Sequence, residues 1–249
     1  TDGADVDELV EVARAEVDEV PHAVTGLTVL GDEIDATIDR IESGPLPAVP
    51  TPWPDLNQII RGWQPGRLYI VGARPGVGKS ILLDQAALDL AEQGWVSLHS
   101  LEMGRQEVHA RIIASSAHVS LQRLEESALS EGDWRRIADA RNRWNTPRLV
   151  IDDRSAVRVV DIRAMARTLA RKGPLSGVCV DYLQLMGADR GDRRSREQQV
   201  SEWSREIKVL AKDLAVPVIV ACQLNRNPEA RTDRRPTMAD LRESGALEQ

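Results

Sequence analysis

Nine consecutive residues, Gly72-Ala-Arg-Pro-Gly-Val-Gly-Lys-Ser80, combine glycines, a lysine and a hydroxyl in an order suited to holding phosphate. Glycines free the backbone N–H groups to turn inward, and a helix starting directly after them offers its positive end to an anion. Lys79 has the reach for β- and γ-phosphates, and the Ser80 hydroxyl can coordinate Mg²⁺. The usual spacing of such a cradle wants glycine five residues before Gly78, and Ala73 stands there instead. Residues Ala73, Arg74, Pro75, Gly76, Val77, Gly78, Lys79 and Ser80 are therefore predicted to bind a nucleotide, with a plain glycine-rich turn as the bland alternative.

Three more polar residues end apolar runs. Val178-Cys-Val-Asp181 places a carboxylate where it can hold the Mg²⁺ of a bound triphosphate. Alone it would be a weak signal, since many strands end in Asp as a turn residue; beside the cradle it is a strong one. Glu102, just past Leu98-His-Ser-Leu101, could orient and deprotonate an attacking water, or be a helix-start acid stabilised by the helix dipole. Gln223, ending Val220-Ala-Cys222, could hydrogen-bond a γ-phosphate or a loop responding to it, or be ordinary strand-end polarity.

Such residues meet only if a scaffold gathers strand ends. Short, nearly continuous apolar runs predict strands over 67–72, 95–101, 148–152, 177–182 and 217–222, each covered on both faces. Helical patterns fall between them, near 80–92, 105–117, 131–144, 159–172 and 196–214. Strict alternation implies a parallel sheet built by right-handed crossovers, with ligands beyond the strands' carboxyl ends. Upstream, Val6, Leu9, Val10, Ala13, Val17 and Val20 have helical spacing, as do Leu30, Ile34, Ile38 and Ile41 before the stop signal Ser43-Gly44. Five prolines follow between Pro45 and Pro54. So dense a run reads as an extended linker unable to sustain helix or ladder pairing. The predicted organisation is an acidic helical segment at 1–44, a linker at 45–54 and one α/β domain at 55–249.

Charge follows the same division. The 249 residues carry a net charge of −7, but residues 1–43 hold 13 of the 39 acidic side chains and only Arg14 and Arg40 of the 32 basic ones. The rest of the chain is therefore mildly basic, at +4. Arginines gather in two polar stretches, Arg190–Arg196 and Arg226–Arg235. These are either solvated loops or walls of a channel that tracks a phosphate backbone; without aromatic residues they offer no base stacking. No apolar run is long enough to span a membrane. Two cysteines in apolar strands exclude a disulfide framework, and the four histidines lack zinc-ligand spacing. The acidic start does not read as a signal peptide, so a cytoplasmic protein is expected. The chain opens on Thr1 and reads as part of a longer protein.

The string Gly62-Trp-Gln-Pro-Gly-Arg-Leu-Tyr-Ile-Val-Gly-Ala-Arg-Pro-Gly-Val-Gly-Lys-Ser80 resembles the nucleotide-binding region of DnaB-type replicative helicases. So do Ser100-Leu-Glu-Met103, Val180-Asp-Tyr-Leu-Gln-Leu-Met186, Gln223-Leu-Asn-Arg226 and Asp240-Leu-Arg-Glu-Ser-Gly245. Five motifs in order are a specific match, and Ala73 ceases to be an anomaly, because that family commonly has Ala-Arg-Pro there. The resemblance implies an α/β, RecA-like P-loop ATPase with a mostly parallel central sheet. It further implies a hexameric ring of identical subunits that uses ATP and Mg²⁺ to move on single-stranded DNA, with primase and a helicase loader as partners. By the same resemblance Glu102 is the catalytic base, Gln223 the γ-phosphate sensor, and Arg242, Glu243 and Gly245 the DNA-phosphate contacts.

The match also has gaps. Only the acidic helices precede the linker where the family has a helical collar; their apolar stripe is expected to pack on a neighbouring subunit. The family continues past the position of Gln249 with a strand and an arginine finger, so no residue here takes that role by motif and slow turnover is expected. Two other readings compete: a RecA-like recombination or signalling ATPase, and a non-hydrolysing ATP-binding assembly subunit.

Overall fold

The computed structural model describes residues 29–44, 48–144, 148–188, 193–224, 237 and 240–241. Contacts divide the chain into two units, Thr1–Leu46 and Pro47–Gln249. In the first, one helix is described, α1 (Leu30–Glu42). None of its residues is buried, and Leu30, Ile34, Ile38 and Ile41 expose an apolar stripe at helical spacing. The predicted helix over 4–20 lies outside the described residues.

The second unit contains the strands β1 (Leu68–Ala73), β2 (Trp95–Ser100), β3 (Leu149–Asp152), β4 (Leu175–Asp181) and β5 (Val218–Gln223), hydrogen-bonded in the order β1-β5-β4-β2-β3. All four pairings are parallel. The helices are α2 (Pro54–Ile60), α3 (Lys79–Gln93), α4 (Arg105–Ala117), α5 (Leu121–Glu125), α6 (Glu131–Trp144), α7 (Val159–Ala170) and α8 (Arg196–Leu214), with a 3₁₀ turn at Leu183–Leu185. The predicted α/β architecture is present, and predicted and observed strand boundaries differ by at most two residues.

Alternation along the strands separates two cores. Val178, Val180, Val218 and Val220 face one side with Ile162 and Ala166 of α7 and Trp203, Ile207 and Leu210 of α8. Cys179, Ile219 and Ala221 face the other side with Leu83 and Leu90 of α3 and Val108 and Ile112 of α4. A fully buried aliphatic side chain contributes roughly 1.5–3 kcal/mol, an exposed ion pair about 0–1. The sheet is therefore held by these two apolar layers and not by surface pairs such as Glu131–Arg135. Both cysteines are free and buried, and burial pushes the Cys179 thiol well above its usual range.

The proline run departs from expectation at both of its described ends. Val49 pairs with Trp63 through two backbone hydrogen bonds of 3.0 and 2.7 Å, and Pro54 opens α2. Proline suits the first helical position because the N–H it lacks there has no partner in any case. The Thr51 backbone fastens this entry, its N–H donating to Asn57 Oδ1 at 2.7 Å while the Asn57 amide donates back to its carbonyl at 2.8 Å.

Candidate functional site

The parallel register brings the polar strand ends to one edge. Ala73, the last residue of β1, lies opposite Gln223, the last of β5, and Ser100 of β2 lies opposite Asp181 of β4. Between Ala73 and α3 the chain makes a tight turn in which Gly76 and Gly78 have φ of +78° and +104°. L-residues rarely occupy that region, so the turn depends on glycine at both places. Gly72 meets a different demand: an added Cβ would come within 2.9 Å of the Leu224 side chain. Arg74 donates to the Leu224 carbonyl at 3.3 Å, tying the turn to the chain leaving β5.

Lys79 is the centre of the cluster. It is 8 % exposed, its Nζ lies 2.9 Å from Glu102 Oε2 and 3.1 Å from Asp181 Oδ1, and it sits 4.2 Å from the Tyr182 ring centroid. Burial acts to lower its pKa, but the hydrogen bonds and charges of Glu102 and Asp181 outweigh that, and the net shift is upward. The lysine is thus fully cationic near neutral pH. A cleft of about 230 Å³ opens beside it, lined by Pro75, Gly76, Gly78, Lys79, Ser80, Ile81, Glu102, Met103, Arg111, Leu121 and Gln223.

The predicted residues divide accordingly. Pro75, Gly76, Gly78, Lys79, Ser80, Glu102 and Gln223 converge on this cleft, whereas Val77 is exposed at the turn's tip. Asp181, 3 % exposed, stands behind Lys79 instead of on the wall. Glu102 is half exposed on a turn held from two sides: the Leu101 N–H donates to the Asp181 carbonyl at 2.7 Å, and the Ser100 hydroxyl to the Met103 carbonyl at 2.8 Å. Between β2 and β3, His99 Nδ1 lies 3.1 Å from Asp152 Oδ2, and Asp152 is also paired with Arg154. Those hydrogen bonds, Arg154's first, hold the Asp152 carboxyl well below the usual range. Of the predicted DNA contacts, Arg242, Glu243 and Gly245 lie outside the described residues; so do Arg226–Arg235, while Arg193–Arg196 are described. Asp240 and Leu241, at the root of the Asp240–Gly245 motif, are buried, and the Thr237 N–H and hydroxyl both donate to Asp240.

Arg111 and Asp84 go unpredicted. Arg111 lies on α4 three residues after buried Val108 and one before buried Ile112, so an arginine on the inward face is its legible signal. Asp84, one turn into α3 from Ser80, is 5 % exposed, and its Oδ2 has no hydrogen-bond partner among the described residues. Burial first, then the charge of Asp181, pushes its carboxyl up to about 7, with Arg111 acting the other way. A carboxyl raised this far holds a proton in the folded protein that the unfolded chain has already lost. Its contribution to stability therefore declines as pH rises from the unfolded value of 3.8 through about 7. Asp84→Asn should accordingly gain on the wild type by about 2–3 kcal/mol between pH 5 and pH 8, read as denaturant midpoints. A pH-independent gap would refute the raised pKa.

The arrangement suits polyphosphate binding: two glycines at positive φ before a helix start, a buried lysine, a hydroxyl and a carboxylate that could serve a divalent cation, and a half-exposed carboxylate facing the same space. Ser80 and Asp181 provide the hard oxygen donors that Mg²⁺ takes. Among the described residues no cluster of three metal-ligating side chains exists, and no helix is long and apolar enough to cross a membrane.

Comparison with known proteins gives the family. Residues 48–249 match the family described as DnaB-like helicase C terminal domain. The chain is 42 % identical over 260 residues to the replicative DNA helicase DnaB of Leifsonia xyli subsp. xyli (strain CTCB07), covering 97 % of this chain and 55 % of that protein. It is 35 % identical over 254 residues to the replicative DNA helicase DnaC of Bacillus subtilis (strain 168), covering 98 % and 56 %. The chain thus spans about half the length of these relatives. Among solved structures, one described as an ATPase domain superposes with a TM-score of 0.80 at 31 % identity, over 89 % of this chain and 80 % of that one. A DnaB-like replicative helicase, described with its interactions with primase, gives 0.78 at 31 % identity, over 96 % and 59 %.

Proposed function

Since the chain belongs to the DnaB-like helicase C terminal domain family, we propose that it is the RecA-like motor of a replicative DNA helicase, hydrolysing ATP to move along single-stranded DNA and separate duplex. The observation carrying the proposal is the meeting of Lys79, Glu102 and Asp181 within 2.9 and 3.1 Å beside the glycine turn. In this reading the turn from Ala73 to Gly78 and the start of α3 hold the phosphates, and Lys79 neutralises the β- and γ-phosphate oxygens. Ser80 and Asp181 would hold Mg²⁺, which supplies charge neutralisation on the phosphates when bound. Glu102 takes the proton of the attacking water, and Gln223 senses the γ-phosphate.

We assign the DNA-phosphate contacts to Arg242, Glu243 and Gly245, with Glu243 bracing Arg242 while backbone N–H groups take phosphate oxygens. The working assembly is a hexameric ring, supported by the exposed apolar stripe of α1, which would pack on a neighbouring subunit. Residues 1–44 form the packing segment, and the proline-rich stretch 45–54 leads from it into the motor, which already includes Val49 and Pro54. Primase and a loader are the partners, and the site of action is the cytoplasm. Phosphate release by the intact protein, measured with and without a single-stranded oligothymidylate, tests the proposal: a clear stimulation is expected, and its absence would favour a subunit that only binds ATP.

A further inference from the structure

The side chain of Gln184, in the 3₁₀ turn that follows β4, is used entirely on the end of β5. Its Oε1 accepts the Gln223 N–H at 3.2 Å. Its Nε2 donates to the Gln223 carbonyl at 3.0 Å and lies 3.0 Å from Cys222 Sγ. β4 and β5 pair through backbone from Val178/Val218 to Val180/Val220. Beyond that register the Gln184 amide takes the place of a further rung, offering one donor and one acceptor to one donor and one acceptor. Only one orientation of the amide satisfies both bonds, and neither a carboxylate nor an alkyl group can do so.

The backbone of the same turn is held by the start of α8. The Arg196 guanidinium donates to the carbonyls of Gln184 and Met186, the latter at 3.0 Å, and to Gln199 Oε1 at 3.0 Å. It also lies over the Trp203 ring, 4.6 Å from the centroid. Arg196 closes the arginine-rich stretch whose described part is Arg193–Arg196, and Arg193 and Arg194 there are exposed. A continuous set of contacts therefore runs from this basic stretch through the Arg196 guanidinium and the Gln184 turn to the Gln223 backbone on the cleft wall. The turn begins two residues after Asp181.

We infer that Gln184 is a positioning residue: its amide fixes the backbone of Gln223 and makes that fix responsive to what the Arg193–Arg196 stretch binds, so that occupancy by a polyanionic strand sets the rate of phosphate release. The inference rests on the motor reading above. It assigns Gln184 no contact with the reacting atoms.

Its test is the ratio of phosphate release with and without a single-stranded oligothymidylate, in the intact protein carrying Gln184→Leu, which loses both bonds, or Gln184→Glu, which keeps the acceptor and loses the donor. The ratio should fall toward one for Gln184→Leu and to an intermediate value for Gln184→Glu. A merely structural role would lower both rates together and leave the ratio intact. Wild-type ratios in folded Gln184→Leu would overturn the inference while leaving the motor reading standing; a wild type that oligothymidylate does not stimulate would overturn the motor reading itself. If neither variant folds, amide hydrogen exchange in the wild type decides: the Gln223 N–H should exchange more slowly with oligothymidylate bound, and an unchanged rate overturns the inference.

Discussion

Glu102→Gln is expected to lower steady-state phosphate release about 10²–10⁴-fold, the usual share of a positioned general base. The carboxamide is isosteric and keeps an oxygen to accept the 2.9 Å hydrogen bond from Lys79, so nucleotide should still bind. What it loses is the ability to take a proton from water near neutral pH. The Glu102 turn is held by Leu101 and Ser100 backbone and side-chain bonds that the substitution does not touch, so the loss should fall on turnover and not on folding. Phosphate release alongside titration with a fluorescent ATP analogue checks this. Wild-type release by the variant would remove Glu102 from its assigned role.

Lys79→Ala should reduce turnover by at least about 10²–10³-fold, the cost of deleting one preorganised charge-stabilising donor. Nucleotide affinity should fall with it, because the variant leaves Glu102 and Asp181 uncompensated where an anion must bind. Removing one partner of a buried ion pair also destabilises by roughly 3–5 kcal/mol, and Asp181 is buried. Melting therefore has to accompany the titration. Lys79→Arg separates the two effects: it keeps a cation opposite Asp181 and should fold better than the alanine variant. Its planar fork replaces a compact ammonium, so turnover should stay low. Wild-type nucleotide affinity in folded Lys79→Ala would contradict the site.

The scaffold is legible in the sequence because its physics is local. Strands buried on both faces in a parallel sheet must be apolar runs, and the runs ending at Gly72, Leu101, Asp152, Tyr182 and Cys222 locate all five to within two residues. The longer helices show themselves by their apolar period, and α4, α6 and α8 span the residues that the period marks. Helices α2 and α5, of seven and five residues, are too short for a period to emerge. Their signals lie at their ends: Pro54 at a helix start, and Ser120, whose hydroxyl accepts the Arg123 N–H. Counting Pro54 with the linker hides the first of these.

The site separates in the same way. Glu102, Asp181 and Gln223 are readable as polar residues at or just past strand ends, and Lys79 and Ser80 as the first residues of the helix after the glycine turn, at the edge where a parallel sheet puts ligands. The contacts that set their chemistry are not local. Gln184 and Gln223 are 39 positions apart, and Lys79 and Asp181 are 102 apart. Nothing in a helical run such as Leu82-Leu-Asp-Gln85 says that Asp84 will be buried near another carboxylate. Net charge misleads for a related reason, because the −7 of the whole chain conceals a mildly basic unit that carries the phosphate cradle.

The most direct test of the central claim is ATP-dependent strand displacement by the intact protein on a forked duplex, with phosphate release followed in the same reaction. A replicative motor predicts displacement that tracks hydrolysis and disappears in Glu102→Gln. DNA-stimulated hydrolysis without displacement would contradict it and point to an ATPase of recombination instead.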